Sequence, residues 1–227
     1  MLVRRLLALY AGLWLYGFSM AVMIRAAMGL DPWDVFHQGV ANHVPLSFGT
    51  ITALTGAAVL LAWIPLRQWP GLGTISNVFV IAVSVDAGLN WLPQLEGLPL
   101  RIGAMLGAVV LNAIASVLYI GAGFGPGPRD GLMTGLVRRT GRPVWLIRTS
   151  IEVTVLTIGF LLGGSVGVGT VLYALGIGPL IHLLIPLVHD HLPGFHTVQR
   201  AAESEPGRVE DRNALWELPI TESDATR

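Results

Sequence analysis

The sequence predicts an all-α membrane fold: six transmembrane helices arranged as two inverted three-helix repeats, each with a short interfacial or re-entrant helix after its first span. Three observations predict it. The 227 residues are 53% hydrophobic and only 12% charged, about half the charge of a soluble domain of this size. The apolar residues gather into runs of about twenty, enough at ~1.5 Å per residue to cross a hydrocarbon core of roughly 30 Å. A Gly-Pro motif also occurs twice, as Gly29-Leu30-Asp31-Pro32-Trp33-Asp34-Val35 and as Gly125-Pro126-Gly127-Pro128-Arg129-Asp130-Gly131, 96 positions apart. That displacement places Gly29 on Gly125, Pro32 on Pro128 and Asp34 on Asp130, and it also carries Gly73-Thr74 onto Gly169-Thr170. One displacement joining two separate motifs points to an internal duplication.

Taken in order, the first span covers about Leu6 to Ala27. Its apolar run is too long for a secretory signal, and Arg25 sits where a cleavage site needs small neutral residues. Residues 32–45 form the first short helix, with Asp31 as N-cap, Pro32 at the first helical position and Asp34 reaching back as an acidic variant of the capping box. The second span runs from Ser47 to Leu66, closed by Pro65 and Arg67, and the third from Gly73 to Leu92, closed by Pro93. The fourth, Arg101 to Ala122, leads into the second short helix at residues 128–142, where Gly127, Pro128 and Asp130 take the same places. Trp33, Phe36 and Val40 in one short helix, and Leu132 and Leu136 in the other, recur at helical spacing on one side. The fifth span is Val144 to Gly163. The sixth, Val168 to His189, is interrupted at Gly176-Ile177-Gly178-Pro179, because Pro179 removes a backbone hydrogen bond. The transmembrane domain is thus residues 1–191, with repeats at about 6–93 and 101–190. Residues 192–227 form an acidic cytoplasmic tail that we expect to be disordered.

Charge sets the orientation. All fourteen basic residues are Arg, and with the N-terminus inside, Arg4, Arg5, Arg67, Arg129, Arg138, Arg139, Arg142 and Arg148 lie on the cytoplasmic side. Only Arg25 and Arg101 would then lie outside, so both termini are cytoplasmic. Each repeat holds an odd number of spans, so the copies insert in opposite orientation, a common architecture of secondary transporters.

Ionisable residues inside an apolar bundle are the candidates for a substrate or ion pathway. Asp34 and Asp130 share a place in the repeat; both could cap a helix start or line a central cavity. Arg129 stands where the first copy has Trp33, and local pairing with Asp130 is the expectation, the alternatives being pairing with Asp34 if the motifs converge, or binding of an anionic substrate. Arg148 and Glu152, four apart, face the same way and should pair. Asp86 and His182 correspond under the same displacement and should face the interior or an aqueous vestibule. The structural residues are Gly29, Pro32, Gly125 and Pro128 in the motifs, Gly73, Thr74, Gly169 and Thr170 at two helix starts, and Gly178 and Pro179 in the last span. Gly103 with Gly107, and Gly159 with Gly163, have the spacing of helix packing, within the subunit or in a homo-oligomer.

With no cysteine in the chain, thiol chemistry is excluded. No nucleotide loop, zinc-helix motif or nucleophile elbow is present. His189, His191 and His196 have irregular spacing that does not suit a metal. We therefore expect no enzyme activity, catalytic residue, cofactor or metal. The partners expected are the lipid bilayer and a small molecule of unknown identity, not nucleic acid.

The motif residues carry a resemblance. Gly29 to Asp34, then Gly123-Phe124 through Met133, then Gly167-Val168-Gly169-Thr170 and Gly178-Pro179, resemble the YczE-like membrane proteins of the wider YczE/YyaS/YitT group, over residues 1 to about 190. The resemblance implies a multi-pass protein of the bacterial cytoplasmic (inner) membrane. Some relatives are classed as exporters of small organic molecules. The function expected is transport or export of a small molecule by alternating access; the alternative is a non-transporting scaffold that recruits partners through its Arg-rich segment and tail.

Overall fold

Twenty or more successive apolar residues leave the backbone no solvent to bond with in a bilayer, so each run closes its hydrogen bonds internally as a helix. The computed structural model describes residues 2–189, and among these the chain is all-helical, without strands. Eight helices follow in order: α1 Leu2–Ala26, α2 Pro32–Ala41, α3 Phe48–Leu66, α4 Leu72–Trp91, α5 Leu98–Gly121, α6 Pro128–Thr140, α7 Val144–Leu161 and α8 Val168–His189. All but α2 and α6 are long and apolar enough to cross a membrane. The tail and the histidines beyond His189 lie outside the described residues.

The helix starts keep the displacement of the Gly-Pro motifs: Leu2 and Leu98, Pro32 and Pro128, Phe48 and Val144, Leu72 and Val168 each stand 96 positions apart. Two details differ from expectation. The short helices end earlier, at Ala41 and Thr140; Gly141 takes a left-handed φ of 63° that stops α6. Helix α8 runs unbroken through Gly176 to Pro179. Each proline removes one amide donor, and a long helix held by its other bonds absorbs that loss without unwinding.

Helices α1 and α5 form the centre. Leu9, Leu13, Met20 and Ala21 of α1 pack with Tyr119 of α5 and with Ile81 and Val85 of α4. Met23 and Ala26 pack with Met105, Ala108 and Val109. A buried polar chain crosses this core: Asn112 Nδ2 donates to Ser19 Oγ at 2.9 Å, and the Tyr173 hydroxyl donates to Asn112 Oδ1 at 3.1 Å. Hydrogen bonds of this kind join helices where lipid offers no hydrophobic drive. Helix α7 buries only Gly159 and turns Val153, Ile158, Phe160 and Leu161 outward, as suits a lipid-facing helix. Exposed Trp91 at one end of the bundle, and Trp69 and Trp145 at the other, suit the two interfaces of a bilayer.

Contacts between the halves come in matched pairs. Arg5 donates to the carbonyls of Ala122 and Gly123, and Arg101 donates to those of Ala26 and Ala27. The start of α1 therefore meets the end of α5, and the start of α5 meets the end of α1. One seam is not matched: α3 packs along α4, whereas α7 and α8 share no comparable seam.

Candidate functional site

The site is built from the two Gly-Pro motifs, and glycine is required at the head of each. Gly29 and Gly125 have φ of 109° and 108°, a region that L side chains avoid. Each motif is then tied to the start of a later helix. The Gly73 amide donates to the Phe124 carbonyl at 2.8 Å, and the Gly169 amide donates to Met28 at 2.8 Å. Thr74 Oγ1 donates to the Pro126 carbonyl at 2.7 Å and accepts from the Gly71 amide, while Thr170 Oγ1 accepts from Gly167. These bonds hold α2 and α6 so that their amino ends face each other across the bundle.

Asp31 caps α2. Its Oδ1 accepts from the amides of Trp33 at 2.9 Å and Asp34 at 3.1 Å, and the residue is 2% exposed. Asp34 does not cap, contrary to its expected place in a capping box. Its side chain turns inward, fully buried, with Oδ1 3.2 Å from His37 Nδ1, which also lies 3.3 Å from Thr52 Oγ1. Asp31 already satisfies the first amides of α2, which leaves the Asp34 carboxylate to the interior.

Arg129 corrects a second expectation. Instead of pairing with its neighbour Asp130, it reaches the other motif: Nη1 lies 3.7 Å from Asp31 Oδ1 and Nη2 lies 3.9 Å from Asp34 Oδ1. Its guanidinium stacks 4.8 Å over the ring of Trp33, the residue it replaces in the repeat. Asp130 instead accepts from the Tyr119 hydroxyl at 3.1 Å and from the backbone amide of Gly127. Arg148 Nε donates to Glu152 Oε1 at 3.1 Å, one turn along α7.

These residues border a cavity of about 610 Å³ lined by Asp31, His37, Arg129, Asp130, Arg148, Glu152 and His182, with Tyr16, Trp33, Tyr119 and Tyr173 among its walls. Asp34 stands against it through Arg129. Asp86 is elsewhere, at the opposite end of α4, where its carboxylate accepts from Ser47 Oγ at 2.5 Å and from the Gly49 amide at 2.8 Å and so caps α3. Its counterpart His182 makes no such cap, because Trp145 stands where Gly49 does and Pro143 where Ser47 does. Sequence reasoning gave Asp31 only a capping role and passed over His37, whose one signal is its place three residues after Asp34.

The short helices lie outside the six spans, and burial governs their acids. It pushes the Asp31 carboxyl up to about 7, with Asp34 adding and Arg129 opposing, and raises Asp34 as well, against Arg129. Burial lowers His37 to about 3, so it is neutral at ordinary pH. Asp31 Oδ2, Asp34 Oδ2 and His37 Nε2 are buried without a hydrogen-bond partner among the described residues. No group of three His, Asp or Glu suited to a metal occurs among those residues. What this arrangement does offer is a partly desolvated, carboxylate-rich wall in an aromatic cavity.

Residues 3–186 match a family described as "Family of unknown function (DUF6198)". An uncharacterized protein of Haemophilus influenzae is 35% identical over 179 residues, covering 78% of this chain and 82% of the relative. The uncharacterized membrane protein YczE of Bacillus subtilis is 33% identical over 187 residues, 82% of this chain and 87% of its own. The uncharacterized protein YyaS of the same organism is 22% identical over 184 residues, 79% and 92% of the two chains. No solved structure matches.

Proposed function

The chain belongs to the YczE-like membrane proteins of DUF6198, and from that premise we propose that it is a secondary transporter, not an enzyme, moving a small molecule by alternating access. On this reading its halves are inverted repeats about an axis in the membrane plane. Support comes from the antiparallel, reciprocal contacts of Arg5 and Arg101 and from the common displacement of the helix starts. It resides in the bacterial inner membrane, with the α6 end and both termini cytoplasmic, where most of its arginines fall. The short helices are re-entrant, meeting at the central cavity.

One observation carries the reading: the cavity sits between two halves whose extensive seams all have counterparts except that of α3 with α4. At the α2 end, α3 is latched to α4 through Asp86. At the α6 end, α7 and α8 flank the cavity without a seam comparable to that of α3 with α4. Two equivalent seams, one closed and one open, are what an inverted repeat offers in a state open to one side, and exchanging them would expose the cavity to the other.

The chain lacks cysteine, so Thr55, which lines the cavity, can be changed to Cys as a unique probe. A membrane-impermeant maleimide should label it from the cytoplasmic face of inside-out vesicles and far more slowly from the other face. Equal labelling from both sides, or none from either, would count against a one-sided cavity. In reconstituted vesicles, Glu152→Gln and Asp130→Asn should reduce substrate flux, and unchanged flux in both would remove these residues from the pathway.

A further inference from the structure

Around Arg129 the carboxylates outnumber the cations that face them. Asp31, Asp130 and Glu152 line the cavity, and Asp34 shares Arg129 with Asp31, whereas the guanidiniums there are Arg129 and Arg148. Arg148 is paired with Glu152, which leaves Arg129 to serve two aspartates. It does so loosely, since separations of 3.7 and 3.9 Å are ion pairs without a hydrogen bond.

The buried atoms without partners beside this cavity, those of Asp31, Asp34 and His37, all call for the same thing. When ionised, Asp31 Oδ2 and Asp34 Oδ2 are acceptors, on side chains 2% and 0% exposed whose carboxyl groups sit against each other. Assigning the His37 ring proton to Nδ1, 3.2 Å from the Asp34 carboxylate, makes Nε2 an acceptor too. Asp31 and His37 both line the cavity, while these acceptor atoms are themselves covered, so a ligand reaches the aspartates as Arg129 gives way. A ligand that satisfies them must bring N–H or O–H donors and positive charge. At about 610 Å³ the cavity is of a size for an organic molecule, not a bare ion. Tyr16, Tyr119, Tyr173 and Trp33 add aromatic surface, which suits both hydrocarbon and a cation.

We propose that this cavity binds an organic ammonium, a protonated primary or secondary amine, whose N–H groups donate to Asp31 and the neighbouring acceptors while its hydrocarbon lies against the aromatic walls. Arg129 is the resident cation in that seat. It occupies both the face of Trp33 and the flank of the two aspartates, so the incoming ammonium competes with it. An anionic ligand would meet the opposite situation: it would have to draw Arg129 from two carboxylates and would leave every unpartnered acceptor without a donor. The proposal deepens the transport reading by naming its substrate class, but it is tested by binding alone.

The test is calorimetry on the full chain in lipid nanodiscs near pH 8. The probes are 2-phenylethylammonium, hexylammonium, tetraethylammonium (which has no N–H) and 3-phenylpropionate as the anionic isostere. The two primary ammoniums should bind, tetraethylammonium at least ~10-fold more weakly, and 3-phenylpropionate weakest of all. Asp31→Asn keeps a side-chain oxygen to cap α2 and should weaken ammonium binding by ~10-fold or more, the loss of one charge-assisted hydrogen bond. Arg129→Gln should strengthen it. Failure of both primary ammoniums to bind, preference for the carboxylate, or indifference to Asp31→Asn would overturn the proposal. The preference of the unaltered chain for ammonium over carboxylate decides the matter even if a variant does not fold. Ammonium binding without flux into vesicles would sink the transport reading and leave this one standing.

Discussion

Arg129 Nη1 lies 3.7 Å from Asp31 Oδ1, so a guanidinium from one Gly-Pro motif faces the helix-capping carboxylate of the other. Each motif is short and local in sequence, yet the two aspartates of the first meet their guanidinium in the second. Replacing Arg129 with Gln leaves Asp31 and Asp34 buried side by side without a cation. Breaking a fully buried pair costs ~3–5 kcal/mol, and we expect about half of that because Arg129 is 28% exposed and makes no hydrogen bond here. Thermal unfolding in detergent should show a clear drop, and adding Asp34→Asn to Arg129→Gln should recover part of it. Additive losses in the double variant would mean the two do not interact.

Asp31 also sets a pH dependence. Its folded pKa, raised to about 7 by burial, lies above the unfolded value of ~3.9, so the folded chain holds that proton more tightly. The linked stability is complete below about pH 4 and is lost as pH rises through about 7. The charged and titratable groups around Asp31 are Asp34 and His37 from α2, Arg129 and Asp130 from α6, Tyr16 from α1 and Tyr173 from α8. The melting temperature of the ligand-free chain should therefore fall between about pH 5 and 8, and Asp31→Asn should flatten that slope. Ammonium binding should move the other way, strengthening with pH, because proton and ligand compete for one carboxylate. A wild-type profile as flat as the variant's would show that this burial is not felt.

Glycines of the same spacing should respond differently. A β-carbon on Gly131 would collide with the indole of Trp63, whose Nε1–H donates to the Pro128 carbonyl at 3.0 Å. One on Gly159 would meet the backbone of Val35 and Phe36 at 2.5–2.6 Å. Overpacking of this kind costs ~1–3 kcal/mol or more, so Gly131→Val and Gly159→Val should lower the melting temperature by several degrees. Gly103 has no heavy atom within 4 Å of the same position, and Gly103→Val should leave monomer stability unchanged. If it changes the oligomeric state instead, seen by light scattering, that face packs on a second copy.

The sequence made the spans legible because hydropathy and length alone decide what can cross a bilayer, and the structure departs from those bounds only by a few end residues. The Gly-Pro motifs were legible because glycine and proline fix backbone geometry locally. Arg129 was not: whether it turns to Asp130 or to Asp31 depends on how two segments about a hundred residues apart meet, and no local preference encodes that. Asp31 was misjudged for the opposite reason. Its local role as a cap is real, and it hid the second carboxylate oxygen, which is buried without a hydrogen-bond partner among the described residues, on a side chain that borders the cavity. The break expected at Gly178-Pro179 failed because residue-level propensity is weaker than the hydrogen bonds of a long helix.

The unmatched seam gives the last prediction. Gly49 and Asp86 close α3 on α4, and under the displacement that relates the halves their counterparts are Trp145 and His182. Both of these line the cavity, on helices that share no seam. If the halves exchange roles, residues 145 and 182 approach in the alternate state as 49 and 86 do in this one. A chain carrying Trp145→Cys and His182→Cys, with no other cysteine to compete, should cross-link slowly under mild oxidant at rest. Adding Asp86→Asn removes the full charge that accepts from Ser47 and Gly49, weakens the latch, and should accelerate cross-linking. A ligand that favours the alternate state should do the same without the third substitution. Cross-linking that is fast from the start, or indifferent to Asp86, would mean the two seams are not coupled and that the open side of the cavity is fixed.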